Sequence, residues 1–264
     1  YMRAFNQPVS RVSLEQGEYA NTGFTQWGAS GLAAAWAEEN TRESIFNAFR
    51  RKETFATTGT RIAVRFFGGY NLSSIDLNSE SLVSEAYQKG VTMGSDLLHN
   101  ENKIPEFLVW AQRDKNGAPL QRIQIIKGWI DNNSGRPKEK VYDVACSDGM
   151  QPDPTTNRCP DNGARVNIND CSISTNVGSS ELKIVWKDPE FAPDDKTFYY
   201  VRVLENPTCR WSTWDAIKAG YKPREGLHET IQERAWSSPI WYIPEQSDVE
   251  VVPLGGTIQL RNID

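Results

Sequence analysis

The residues best suited to chemistry in this sequence lie in the segment 207–211, which reads PTCRW. Arg210 carries a guanidinium, whose planar fork of N–H donors binds phosphate or carboxylate groups bidentately. Trp211 supplies an aromatic wall of the kind that lines ligand pockets, and Trp214, on the same predicted helix, could extend this wall for a sugar or aromatic ligand. A packed corner, in which Arg210 stacks on an aromatic ring, explains the same residues. Arg210 and Trp211 are therefore the predicted substrate-binding residues, with both interpretations open.

Four cysteines lie in the later half of the chain, among many Asp, Asn, Gly and Pro residues: Cys146, Cys159, Cys171 and Cys209. An even number of cysteines in loop-rich sequence predicts two disulfides, with three possible pairings, and a periplasmic or extracellular location. A zinc site is the rival interpretation. It is disfavoured because the spacing contains no C-x-x-C pair and neither histidine is near.

Other polar residues could also serve a site, and each has a plain structural explanation. Glu38 and Glu39 precede a predicted helix, where acids also stabilise the positive end of the helix dipole. His99 and His228 are predicted to be exposed loop residues. Six oxygen-bearing side chains in the cysteine loop are of the type that binds calcium, but their spacing does not fit an EF-hand, and such residues are common in turns. These six are Asp148, Asp153, Asp161, Asn162, Asn169 and Asp170.

The elements that position these residues begin with a junction at residues 40–69. Asn40 can cap a helix, and Glu43 can reach back to the cap's amide. This helix has an apolar face formed by Ile45, Phe46 and Phe49. After residue 60 the pattern changes to the alternation typical of strands, with Ile62, Val64 and Phe66 on one side.

About seven strands are predicted from residue 61 onward, with short helices at 79–89 and 211–220. The strands are 61–67, 106–112, 122–130, 140–145, 181–186, 197–205 and 235–242. Pro239 interrupts the last of them, as expected at an edge or bulge. The connections are too short for parallel crossovers. The expected fold is therefore α+β and mainly an antiparallel two-sheet β-sandwich.

Composition excludes several classes of protein. The net charge is -5, and no run of Lys and Arg is interleaved with aromatics, so nucleic acid is not an expected partner. No apolar run approaches the roughly 20 residues that a membrane-spanning helix requires. Residue 1 is Tyr, with neither an initiator methionine nor a signal-peptide pattern. This start favours the interpretation that the chain is a piece of a longer protein.

Several blocks of the sequence occur in the order found in a known family. They read WAEENTRESIFNAFRRKETFATTGTRIAVRFFGG, FLVWAQRD, RIQIIKGWID, EKVYDVACSDG, ELKIVWKDPEF, FYYVRVLENPTCRWSTWDA and TIQERAWSSPIWY. Over about residues 32–243 the chain resembles the carboxy-terminal part of the domain of unknown function 3604 family. That family resembles the polymerase-and-histidinol-phosphatase (PHP) superfamily, whose members hydrolyse phosphate esters with two or three divalent metals in a distorted β/α barrel.

The resemblance implies three regions. Residues 1–60 would be a remnant of the PHP-like barrel, residues 61–243 the β-sandwich with its disulfide-tied loop, and residues 244–264 a tail. The family's H-x-H-T and D-T-H motifs, which supply its metal ligands, do not occur in this chain. We therefore expect no catalytic residue and no metal ligand here. The zinc, manganese or iron of the full-length family would be held by residues outside the chain, unless this is a degenerate relative.

Two functions follow as hypotheses. The leading one is the carboxy-terminal part of a secreted or periplasmic metal-dependent hydrolase, with a phosphate ester as its small-molecule substrate. The alternative is a noncatalytic extracellular module that binds carbohydrate or builds an assembly, with the strand-like tail adding to a neighbour's sheet. Formation of a homo-oligomer is left open by the sequence.

Overall fold

The computed structural model of this protein describes residues 30–101, 103–132, 134–223 and 225–245, and the backbone of 11–14 and 17–20. Most of the predicted tail at residues 244–264 lies outside these residues. The described chain is mostly β-structure, with three short α-helices. In chain order the elements are β1 Arg11–Leu14, β2 Gly17–Ala20, β3 Leu32–Ala35, α1 Arg42–Arg50, β4 Thr54–Thr57, β5 Ala63–Gly69, α2 Leu82–Lys89, β6 Gly90–Thr92, β7 Asp96–Leu98, β8 Glu106–Gln112, β9 Leu120–Ile130, β10 Pro137–Cys146, β11 Val166–Asn167, β12 Ser172–Ile173, β13 Glu181–Lys187, β14 Thr197–Glu205, β15 Thr208–Cys209, α3 Trp211–Lys218, β16 Thr230–Ile231, β17 Arg234–Ser237 and β18 Ile240–Ile243.

An eight-stranded sheet carries most of the fold. Its continuous path is β10-β9-β14-β17-β4-β3, with β18 paired to β14 and β7 paired to β18. Strand β14 bonds β18 near its start and β17 near its end. Pro239 lies between β17 and β18, so the predicted interruption of the last strand is confirmed. A proline cannot donate to the ladder, and the chain therefore pairs as two short strands.

A second sheet, with the order β13-β8-β5-β6, packs against the first. The core lies between the two sheets because strand side chains alternate between faces. Phe66 and Phe107 enter it from the small sheet, and Ile125, Tyr199 and Val201 enter it from the large one. All five are fully buried. This arrangement agrees with the predicted antiparallel β-sandwich.

Helix α2 covers the outer face of the small sheet. Its buried residues Leu82 and Ala86 join Phe67 and Leu108 in a second apolar cluster. The helix ends at Lys89, the limit that the sequence predicts, and Gly90 is its C-cap. The small sheet is therefore buried on both faces, which explains why β5 and β8 are nearly continuous apolar runs.

Helix α1 differs from the prediction in two ways. Its cap is Thr41 rather than Asn40, and the Thr41 hydroxyl accepts a hydrogen bond of 3.3 Å from the Ser44 amide. Its buried residue is Ala48, whereas Phe46 and Phe49 are exposed by 59% and 55%. The predicted face was therefore wrong for these two rings. The helix turns its Ala48 side inward, so both rings point away from the described core.

The remaining differences concern pairing and domains. Strands β7 and β18 are parallel, although we expected only antiparallel pairs. These strands are far apart in sequence, so no short connection limits their direction.

No described sheet closes into a barrel. Strands β3 and β4, which precede the proposed boundary at residue 60, are hydrogen bonded into the large sheet. The division into three regions stays a prediction.

Two disulfides are present, Cys146–Cys159 and Cys171–Cys209, and no described cysteine is free. They tie down the loop between β10 and β13, whose regular structure is limited to the short strands β11 and β12. Disulfides persist in oxidising compartments. They indicate a protein of the secreted type, outside the cytoplasm.

Candidate functional site

A pocket of about 620 Å³ lies where the cysteine loop, the segment before α3 and the segment before β17 meet. We call it the Arg210 pocket. Its ionisable and basic lining residues are Asp161, Arg165, Arg210, His228 and Arg234. These residues come from segments far apart in the chain. The sheet brings them together because β9, β14 and β17 are neighbours, and the end of β14 lies beside the starts of β9 and β17.

The disulfide Cys171–Cys209 lies at the edge of this site. Cys209 is buried and immediately precedes Arg210, and its strand β15 pairs with β16 through Thr230. The bond therefore joins the cysteine loop to the segment that carries Arg210. Two sides of the pocket are covalently connected.

Arg210 is 6% exposed and is the residue immediately before α3. Its Nη1 donates a 2.7 Å hydrogen bond to the Ser212 hydroxyl, and its guanidinium carbon lies 5.0 Å from the Trp211 ring centre. Its backbone N–H donates to the Glu229 carbonyl at 2.9 Å. Arg210 therefore has the stacked and packed guanidinium of the second interpretation, and the same guanidinium lines the pocket. Its contact with a substrate stays a prediction. The Trp211 ring packs against the Arg210 guanidinium.

Arg165 and Asp161 form an exposed bidentate ion pair at the rim. Arg165 Nη2 lies 2.7 Å from one Asp161 oxygen, and Nη1 lies 3.2 Å from the other. Hydrogen bonds from Arg165 lower the pKa of Asp161 to about 2. Asp161 is consequently an anion at physiological pH and offsets the charge of Arg165.

Neutral amides fix the inner wall. Gln232 Nε2 donates to the Gln121 side-chain oxygen at 2.9 Å and to the Glu205 carbonyl at 3.1 Å. Gln121 in turn donates to Asn162 at 3.3 Å. This network holds the wall in place without adding charge.

The charge of the lining favours an anion. Three arginines and one aspartate line the pocket, together with His228. Arginine recognises phosphate, sulfate and carboxylate groups through paired N–H donors. His228 is exposed, as predicted, but it also lines this pocket. Sequence reasoning missed Arg165 and Arg234 because nothing near either residue distinguishes it from a surface arginine.

The other candidate residues have ordinary structural roles. Glu38 pairs with Arg51 at 3.0 Å. Asp153 and Asp170 accept hydrogen bonds from the amides two residues ahead, as turn residues do. His99 is half-buried, with Nδ1 2.7 Å from the Tyr242 hydroxyl, so its predicted exposure was wrong.

Two features are absent from the described residues. These residues contain no group of three or more His, Cys, Asp or Glu residues arranged to hold a metal ion. No helix among them is long and apolar enough to cross a membrane.

Comparison with protein families matches residues 3–244 to a family described as "Protein of unknown function (DUF3604)". No curated protein and no solved structure matches the chain.

Proposed function

Since this chain belongs to the DUF3604 family, we propose that it forms the substrate-recognition part of a secreted metal-dependent hydrolase that acts on phosphate esters. The Arg210 pocket would receive the anionic group. The resemblance to the PHP superfamily supports the reaction class.

The observation that carries the proposal is the buried guanidinium of Arg210 at the pocket wall. Its side chain is held by Ser212 and Trp211, so little rotamer entropy is lost when it binds a ligand. Arg234 adds positive charge from another element, whereas the charge of Arg165 is offset by Asp161. A pocket of about 620 Å³ has room for a phosphate together with an organic group.

The described residues do not fit the metals of the proposed hydrolase, because no suitable cluster of ligands exists among them. We assign no hydrolytic step to the residues of this chain. Zinc, manganese or iron would be held by residues outside it. The role proposed for this chain is therefore binding and orientation of the substrate.

A second candidate function is a noncatalytic carbohydrate-binding module. The observation that favours it is a group of aromatic rings on the large sheet, in which Trp241 is 44% exposed and its ring lies 5.0 Å from that of Phe198. Such rings pack against the C–H faces of sugars.

Binding is tested by calorimetric titration with inorganic phosphate and with phenyl phosphate. We expect Arg210→Ala to weaken both ligands at least about tenfold, because a hydrogen bond to a charged group contributes roughly 1.5–3 kcal/mol. The matched control is Arg136→Ala. Arg136 is exposed in the turn between β9 and β10. This turn lies at the end of β9 that is remote from the pocket, and β9 is 11 residues long, so the distance is roughly 30 Å. Unchanged affinity in a folded Arg210→Ala variant would contradict the proposal.

The hydrolase part is tested on protein purified from its natural source. We expect an intact mass above the 29.8 kDa of this chain, at least two transition-metal ions per molecule, and hydrolysis of p-nitrophenyl phosphate that a chelator abolishes. A mass equal to that of this chain, without metal or activity, would leave the binding module as the function.

A further inference from the structure

The outer face of the large sheet carries four aromatic rings that the Arg210 pocket does not include: Phe198, Tyr200, Trp236 and Trp241. We call them the aromatic face. Tyr199 and Val201 point into the core, so Phe198 and Tyr200 on the same strand point the opposite way. Trp236 joins them because it pairs with Arg202.

Three of these rings are arranged as neighbours. The rings of Phe198 and Tyr200 lie 6.4 Å apart with only 15° between their planes, and Trp241 adds a third ring 5.0 Å from Phe198. The Phe198 ring lies against the backbone of Gly128, where an added Cβ would come within 2.3 Å of it. Glycine at this position leaves a place for the ring to lie close to the sheet.

The aromatic face continues into the Arg210 pocket. Arg234 is shared by both, because it lines the pocket and its guanidinium carbon lies 6.0 Å from the Trp236 ring centre. Arg202 lies between the rings and the pocket and donates to Gln124 at 2.6 Å. The path from Phe198 to the end of β14 is roughly 20 Å long.

We propose that this continuous surface binds a phosphorylated oligosaccharide, with the phosphate in the Arg210 pocket and the sugar chain along the aromatic face. The inference rests on the proposed function and names its substrate class. Arginines at one end complement the phosphate, and the rings at the other end suit the C–H faces of pyranoses.

Stacking rings and arginines also suit single-stranded nucleic acid. Two features favour the glycan. The disulfides indicate a protein outside the cytoplasm, and a chain of net charge -5 repels a long polyanion.

The test measures affinity for three probes: inorganic phosphate, mannopentaose, and mannopentaose bearing a terminal 6-phosphate. We expect the phosphorylated sugar to bind at least about tenfold more tightly than phosphate. Tyr200→Ala with Trp241→Ala should remove this gain and leave phosphate affinity unchanged. Phe46→Ala, which removes an exposed ring from α1, is the matched control.

The outcomes separate the two proposals. If phosphate binding does not depend on Arg210, the proposed function fails. If it depends on Arg210 but the sugar adds no affinity, or the double variant keeps the gain, only this inference fails. Tighter binding of an oligothymidine than of the phosphorylated sugar would also overturn it. If the double variant does not fold, the same affinities are measured for Trp241→Ala alone, since this ring is 44% exposed.

Discussion

Two buried acids of the large sheet have opposite surroundings. Asp143 accepts hydrogen bonds from Gln124 at 2.6 Å, from the Cys159 amide at 2.8 Å and from Arg122 at 3.1 Å. Glu205 is also fully buried, yet neither of its carboxylate oxygens makes a hydrogen bond to a described residue. Burial raises the pKa of Glu205 from 4.5 to about 7. The fold therefore favours the protonated form of Glu205.

This difference predicts a dependence of stability on pH. The pKa of Glu205 is higher in the folded state than in the unfolded state. Its contribution to the free energy of unfolding is therefore fully present below about pH 4.5 and is lost as pH rises through about 7. We expect the free energy of unfolding to fall by about 3 kcal/mol over this range on account of Glu205. Urea unfolding at several pH values should show that Glu205→Gln removes this slope. Exposed Glu139→Gln should retain it; an equal slope in both variants would show that Glu205 is not its source.

The two disulfides should differ in their effects on stability and on ligand binding. Cys171–Cys209 spans 38 residues and Cys146–Cys159 spans 13. Loop-closure entropy then predicts that the longer bridge stabilises the fold by about 4 kcal/mol and the shorter bridge by about 3 kcal/mol. Replacing both cysteines of the longer bridge by serine should also weaken phosphate binding, because Cys209 adjoins Arg210. Urea unfolding and phosphate titration of the two double variants check this; equal phosphate affinity in both would contradict it.

The elements were largely predictable, whereas the pocket was not. The pattern of apolar residues located β8 and β14 at their observed limits, because each strand has an inward side that must be apolar. The exposed Phe46 shows the limit of such reasoning. An apolar face on a helix does not reveal whether another element packs against it. Arg210 could be found from its aromatic neighbours. Arg165 and Arg234 come close to Arg210 only through strand pairing and the Cys171–Cys209 disulfide. The pairing of these cysteines could not be predicted, because Cys171 lies in irregular sequence.

The stability of the whole protein should depend on the contact between the two sheets. Phe107 is fully buried, and its ring lies 4.3 Å from that of Tyr199 on the opposite sheet. We expect Phe107→Ala to lower the free energy of unfolding by about 3–5 kcal/mol. Phe46→Ala, the same change at a 59% exposed ring, should cost less than about 0.5 kcal/mol. Chemical denaturation compares them, and similar losses would mean that Phe46 is covered in solution.

The anchored cysteine loop separates ligand choice from folding. It supplies Asp161 and Arg165 to the pocket but no strand to the large sheet or the small sheet. Substitutions, insertions and deletions between its anchors can therefore accumulate without breaking the ladders of the sandwich. Related chains should diverge in specificity mainly there. For an engineer, this loop is the segment to exchange when the protein is given a new ligand.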